Sequence, residues 1–140
     1  MGKEAKILIV LSVLIVISVS KTFAQPSWVA GTPSVALTGP LSITLNYGLN
    51  MTGTIYIIVY NFNNSENLSS STVRNRAILG QSGNLTEARV ITGRRADIGK
   101  TLQVVLEVSD PNQIHTIYIV AADSKGKLQL LPVRLNATTL

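Results

Sequence analysis

The sequence predicts an all-β domain: a two-sheet antiparallel sandwich of about seven strands with a short helical insert. Three observations lead there. The dominant hydrophobic period is two, seen most clearly where Leu41, Ile43, Leu45, Tyr47 and Leu49 alternate with Ser42, Thr44, Asn46 and Gly48; this is the pattern of a strand with one buried face. Short apolar runs of this kind recur down the chain with turn chemistry between them, which indicates a two-sheet sandwich. The chain also has no cysteine, so the domain must be held by its core alone.

The chain opens on a processing signal. Lys3 and Lys6 precede an apolar run from Ile7 to Val19, and Lys21-Thr22-Phe23-Ala24 follows. A charged start, a short apolar run and a small exit residue make residues 1–24 a secretory signal peptide, cleaved after Ala24. The run is shorter than the roughly 20 residues that a spanning helix needs, so no stable membrane anchor is expected after cleavage. Residues 25–140 are then one domain with one core, secreted, periplasmic or at the cell surface. Losing Lys3, Lys6, Lys21 and Glu4 lowers the formal charge from +5 to +3. That surplus is too small to argue for a nucleic-acid partner.

Within the domain, the first strand opens at Gly31-Thr32-Pro33-Ser34-Val35, and Leu41–Leu49 is the second. Asn50-Met51-Thr52-Gly53 is a turn, after which Thr54–Tyr60 reads as the hairpin partner of the second strand. Ile55–Tyr60 is apolar on both faces, which makes it a central strand. Asn61–Ser71, dominated by Asn and Ser, is a loop. Ser71–Gly80 is the helical insert: serines supply the N-cap, Val73, Ala77 and Ile78 fall at helical spacing, and Gly80 ends it. Strands resume at Glu87–Thr92 and at Thr101–Ser109, where Leu102, Val104, Leu106 and Val108 share a face. Asp110-Pro111-Asn112 turns the chain into the strand around His115. Asp123-Ser124-Lys125-Gly126-Lys127 then leads to a last strand, Leu130–Ala137, closing a terminal hairpin.

The Gly31–Val35 opening, the Ser109-Asp110-Pro111-Asn112 turn, the run Ile117–Asp123 followed by Gly126-Lys127, and a helical insert after the third strand occur together here. In this the chain resembles fibronectin type III-like domains of bacterial secreted and cell-surface proteins, over nearly all of residues 25–140. The resemblance implies an immunoglobulin/fibronectin type III-like sandwich, used as a scaffold beside catalytic or adhesive partners. Function on such a scaffold lies in sites grafted onto it. Those domains usually place a tyrosine where this chain has His115.

The search for chemistry excludes more than it finds. His115 is the single histidine, and neither a nucleophilic triad nor a zinc site has further partners. By strand parity it shares a face with Ile117, Ile119 and Ala121, the reading of a core or corner histidine. Glu66, Glu87, Asp97, Glu107, Asp110 and Asp123 lie on separate loops and strands, with no pair spaced for glycoside hydrolysis, no oxygen-rich calcium loop and no glycine-rich phosphate cradle. The expectation is a non-enzyme without cofactor or metal. Five Asn-X-Ser/Thr triplets begin at Asn50, Asn63, Asn67, Asn84 and Asn136; a chain this rich in Asn, Ser and Thr matches several by chance, and a bacterial host would leave them unmodified.

Two constellations stand out as binding surfaces. Tyr56, Tyr60 and Tyr118 have the same parity on strands expected to be neighbours, so they form either a carbohydrate platform or ordinary cross-strand packing. In a sandwich of this type, the loops after the second, fourth and sixth strands emerge at one pole. They bring Arg94, Arg95, Lys100, Lys125 and Lys127 together against Asp97 and Asp123, either as solvated loop charges or as a contact surface for a protein partner; arginines suit bidentate contact with carboxylate or phosphate. The functional expectation is a binding or assembly module for protein–protein interaction or adhesion, with carbohydrate binding through the tyrosines as the alternative.

Overall fold

Among the described residues, seven antiparallel strands form two sheets that enclose the core. The computed structural model describes residues 24–140; the expected signal segment, up to Phe23, lies outside the described residues. The strands are β1 (Ser34–Thr38), β2 (Ser42–Tyr47), β3 (Gly53–Tyr60), β4 (Leu85–Thr92), β5 (Leu102–Glu107), β6 (Ile114–Asp123) and β7 (Val133–Thr138), with one helix, α1 (Ser70–Leu79), between β3 and β4. One sheet has the order β1-β2-β5 and the other β4-β3-β6-β7.

The alternating patterns fold as their periods require. Inward residues Ile43 and Leu45 of β2 and Leu106 of β5 meet Ile57 and Val59 of β3 and Ile117 and Ile119 of β6 in a fully buried inter-sheet cluster. Trp28 packs against one end of it and bridges to Leu49. The strand apolar on both faces is central, since β3 pairs with β4 on one side and β6 on the other. Its second face has its own cover: α1 lies across it, and Ile58, Tyr60, Tyr118 and Val120 pack against Val73 and Ala77. The helix starts at Ser69, whose hydroxyl accepts the Thr72 N–H at 3.2 Å, and ends at Gly80 in the left-handed region (φ 88), the conformation in which glycine carries no Cβ penalty. Its third buried position is Ser70 rather than Ile78, which is 61% exposed.

One pairing differs from the sequence reading. β2 and β3 are not a hairpin: β2 pairs with β1 and β5, and β3 pairs with β4 and β6. The segment 48–52 carries the chain from one sheet to the other. Gly53 begins the new strand so close to β6 that a Cβ there would run into the Ala122 carbonyl. The terminal hairpin does form, with Ile114 opposite Thr138 and Ile119 opposite Val133.

The edges of the two sheets are joined by a buried acid. Glu87 of β4 is nearly inaccessible. Its carboxylate accepts the N–H of Ala88 at 2.9 Å and that of Glu107 on β5 at 3.3 Å, and it pairs with Arg89 at 3.4 Å. A carboxylate is retained in a buried place because these donors replace its lost hydration.

Candidate functional site

The register places three loops at one end of the sandwich. Gly53 is opposite Asp123, Thr54 is opposite Thr92, and Tyr47 is opposite Leu102, so segments 48–52, 93–101 and 124–132 share a pole. Backbone bonds fix two of them together: Gly93 N donates to Gly53 O and Gly99 N to Leu49 O, both at 2.8 Å. The third folds around Asp123, whose carboxylate accepts the N–H groups of Lys125 at 2.9 Å and Lys127 at 2.8 Å. Gly126, at φ 86, makes that turn possible.

The cations at this pole are not equivalent. Arg94 is ion-paired with Asp97 at 3.0 Å across a short 3-10 turn, Arg95–Asp97. The hydrogen bond to Asp97, and then its charge, raise the Arg94 pKa further. Asp123 is spent on backbone donors within its own loop. Arg95, Lys100, Lys125 and Lys127 are exposed around these two acids, so the pole presents a cationic rim on a hydrogen-bonded base. All five expected cations therefore lie on the β4–β5 and β6–β7 loops of one end.

The tyrosines do not form an open face. Tyr118 is 2% and Tyr60 7% exposed beneath α1, and Tyr56 is partly buried beside the same cluster. Tyr60 and Tyr118 meet edge to face, with centroids 6.0 Å apart and planes at 88°. The Tyr118 hydroxyl donates to the Glu66 carbonyl at 2.7 Å, and the Arg76 guanidinium donates to the Tyr60 hydroxyl. Burial raises the Tyr118 pKa. Parity identified the correct common face, but the helix that follows β3 folds back over it, so these rings are packing rather than platform.

His115 is fully buried on the inner face of β6. Its Nδ1 lies 3.0 Å from the Gln113 carbonyl, two residues upstream, and Nε2 has no hydrogen-bond partner. The geometry is that of a neutral imidazole donating from Nδ1. Burial holds its pKa below the ordinary histidine value, against smaller opposing effects of that hydrogen bond and of Asp110.

Among the described residues, no group of three or more His, Asp or Glu side chains could hold a metal, and no helix is long and apolar enough to cross a membrane. β4 sits beside β3 in the place that the additional C′ strand takes beside strand C in variable-type immunoglobulin sandwiches, and the seven-strand arrangement is consistent with an immunoglobulin/fibronectin type III-like fold. No family model, curated protein or solved structure matches the chain.

Proposed function

We propose that this chain is a secreted, non-catalytic binding or assembly module of the fibronectin type III-like kind, working at the envelope or outside the cell. It contacts an acidic protein surface through the basic pole. The observation that carries this reading is the meeting of Arg95, Lys100, Lys125 and Lys127 on two loops at one end, where the two nearby acids are already engaged. Cations on a hydrogen-bonded base lose less freedom on contact than cations on a flexible tail, which favours recognition. Secretion rests on the leading apolar segment with its basic start and small exit residue.

Charge reversal tests the proposal. The quadruple variant Arg95→Glu, Lys100→Glu, Lys125→Glu and Lys127→Glu should abolish recovery of the cell-surface partner that cross-links to the wild-type protein, with an unchanged melting curve. Exposed loop substitutions usually alter stability by about half a kcal/mol or less each. Wild-type association should weaken with salt, because exposed charges are screened over about 8 Å at physiological ionic strength. Association that survives charge reversal and is indifferent to salt would refute the basic pole as the contact.

A further inference from the structure

A second constellation lies at the opposite pole, where β3 ends. The loop after β3, the C-terminal end of α1 and the start of β4 bound a cleft of about 300 Å³, lined among others by Phe62, Glu66, Arg76, Ser82 and Asn84. That volume is at the lower end of the range for small-ligand sites.

The walls are held before any ligand arrives. The Thr116 hydroxyl accepts the Asn64 N–H at 2.8 Å and lies 3.1 Å from the Phe62 carbonyl. The buried Tyr118 hydroxyl holds the Glu66 carbonyl, and the Asn64 side chain accepts the Glu66 N–H at 2.9 Å. Asn61 N donates to Asn84 O at 3.2 Å, tying one wall to the other. Buried hydroxyls of β6 thus fix a loop whose composition alone marks it as irregular, and a prearranged loop loses little entropy on binding.

The groups facing the cleft select a ligand type. Phe62 is 37% exposed and is backed edge to face by Tyr60, with centroids 5.6 Å apart and planes at 63°, so its ring is steadied as a stacking surface. Arg76 spends one contact on the Tyr60 hydroxyl and has further N–H donors. Among the described residues, neither the Glu66 carboxylate nor the Asn84 side-chain amide makes a hydrogen bond, and the Glu66 charge acts on the Tyr118 hydroxyl. A carboxylate and a guanidinium in one small cleft disfavour a ligand of either net charge. A neutral ring bearing several hydroxyls donates to Glu66, accepts from Arg76 and Asn84, and lays its C–H face on Phe62.

We propose that this cleft binds a mono- or disaccharide, with Phe62 as the stacking surface and Glu66, Arg76 and Asn84 as its hydrogen-bonding groups. The site lies at the opposite end from the basic pole and borders the covered tyrosine face, since Tyr60 lines it and backs Phe62. The test is a titration of the ¹⁵N-labelled secreted protein with glucose, galactose, N-acetylglucosamine, maltose and cellobiose, and separately with glycylglycine as a zwitterion, into the millimolar range where a few contacts suffice for binding. At least one sugar should give saturable amide shifts at Phe62, Glu66, Arg76 and Asn84. Affinity should fall more than tenfold in Phe62→Ala and in Glu66→Gln, and stay unchanged in the basic-pole variant. Glu66 is exposed, so its variant keeps the test valid if Phe62→Ala fails to fold. No saturable shift with any sugar, shifts centred elsewhere, binding by glycylglycine alone, or binding retained in a folded cleft variant would overturn the proposal. None of these results bears on partner capture by the basic pole.

Discussion

Acidification from pH 8 to pH 5 isolates one group in this protein. His115 is the single histidine and there is no cysteine, so it is the one side chain whose ordinary pKa lies between about pH 5 and 8. In the fold its imidazole is fully buried, Nε2 has no partner, and burial depresses its pKa. In the unfolded chain it titrates near 6.5. A depressed folded pKa means that the unfolded state takes up the proton first as pH falls. Stability is therefore fully present above about pH 6.5 and is lost below it, down to the folded pKa. Between the unfolded and the folded pKa the loss approaches, at most, about 1.4 kcal/mol per pH unit. Over one unit, that is a sizeable part of the 5–15 kcal/mol typical of a domain. Urea denaturation at half-unit steps over this range measures it, with His115→Phe as the control. The Gln113 carbonyl also accepts Thr139 N at 3.0 Å and the Thr139 hydroxyl at 3.2 Å, so the substitution leaves no orphaned acceptor. The wild-type curve should fall and the variant curve should stay level. A level wild-type curve, or an imidazole that titrates normally by NMR in the folded protein, would refute the reasoning.

Other outcomes follow from particular contacts. Glu87→Ala should destabilise the domain by about 1–3 kcal/mol in denaturation experiments, because it leaves the Glu107 N–H without its acceptor; Glu87→Gln, which keeps a carbonyl oxygen, should lose less. Ser69→Ala removes the helix N-cap and should lower stability by about 1 kcal/mol, with near-ultraviolet circular dichroism reporting a loosened cover over Tyr60 and Tyr118. Ile57→Ala, at the fully buried centre of β3, should cost about 2–5 kcal/mol. Intact mass of the secreted protein should begin at Gln25; recovery of the full-length chain from a detergent-requiring membrane fraction would sink the signal reading.

Much of the architecture was legible residue by residue, because burial on one face leaves a period-two trace that survives without any partner in view. The alternation from Leu41 to Leu49 gave the buried face of β2, and the doubly apolar run Ile55–Tyr60 marked a central strand. The parity of His115 placed it with Ile117, Ile119 and Ala121 in the inter-sheet layer. The Ser and Gly punctuation placed the helix at Ser71–Gly80, close to the Ser70–Leu79 observed, with the cap falling on Ser69. The basic pole was legible too, since loops after alternate strands share an end once a sandwich is assumed. Pairing was not legible. Asn50-Met51-Thr52-Gly53 reverses the chain, and local turn chemistry is the same whether the next strand returns beside β2 or crosses to the other sheet. That choice was made by β1 and β5, which occupy both edges of β2 from distant parts of the chain.

The same division holds for the sites. Parity shows which side chains share a face, but not what will lie over it. The tyrosine face was closed by α1, a covering set by tertiary packing of Val73 and Ala77 on Tyr60 and Tyr118. The cleft of Phe62, Glu66, Arg76 and Asn84 gathers residues from a loop, a helix end and a strand entry, with no spacing in the sequence to announce it. Glu87 looked like one more scattered acid until β5 brought the Glu107 amide to it. Sequence alone determined the periods, the caps and the turns, because those are set by each residue's own backbone and its near neighbours. Tertiary structure decided sheet membership, cover and cleft, because these depend on contacts between segments far apart in the chain, whose energies no local pattern records.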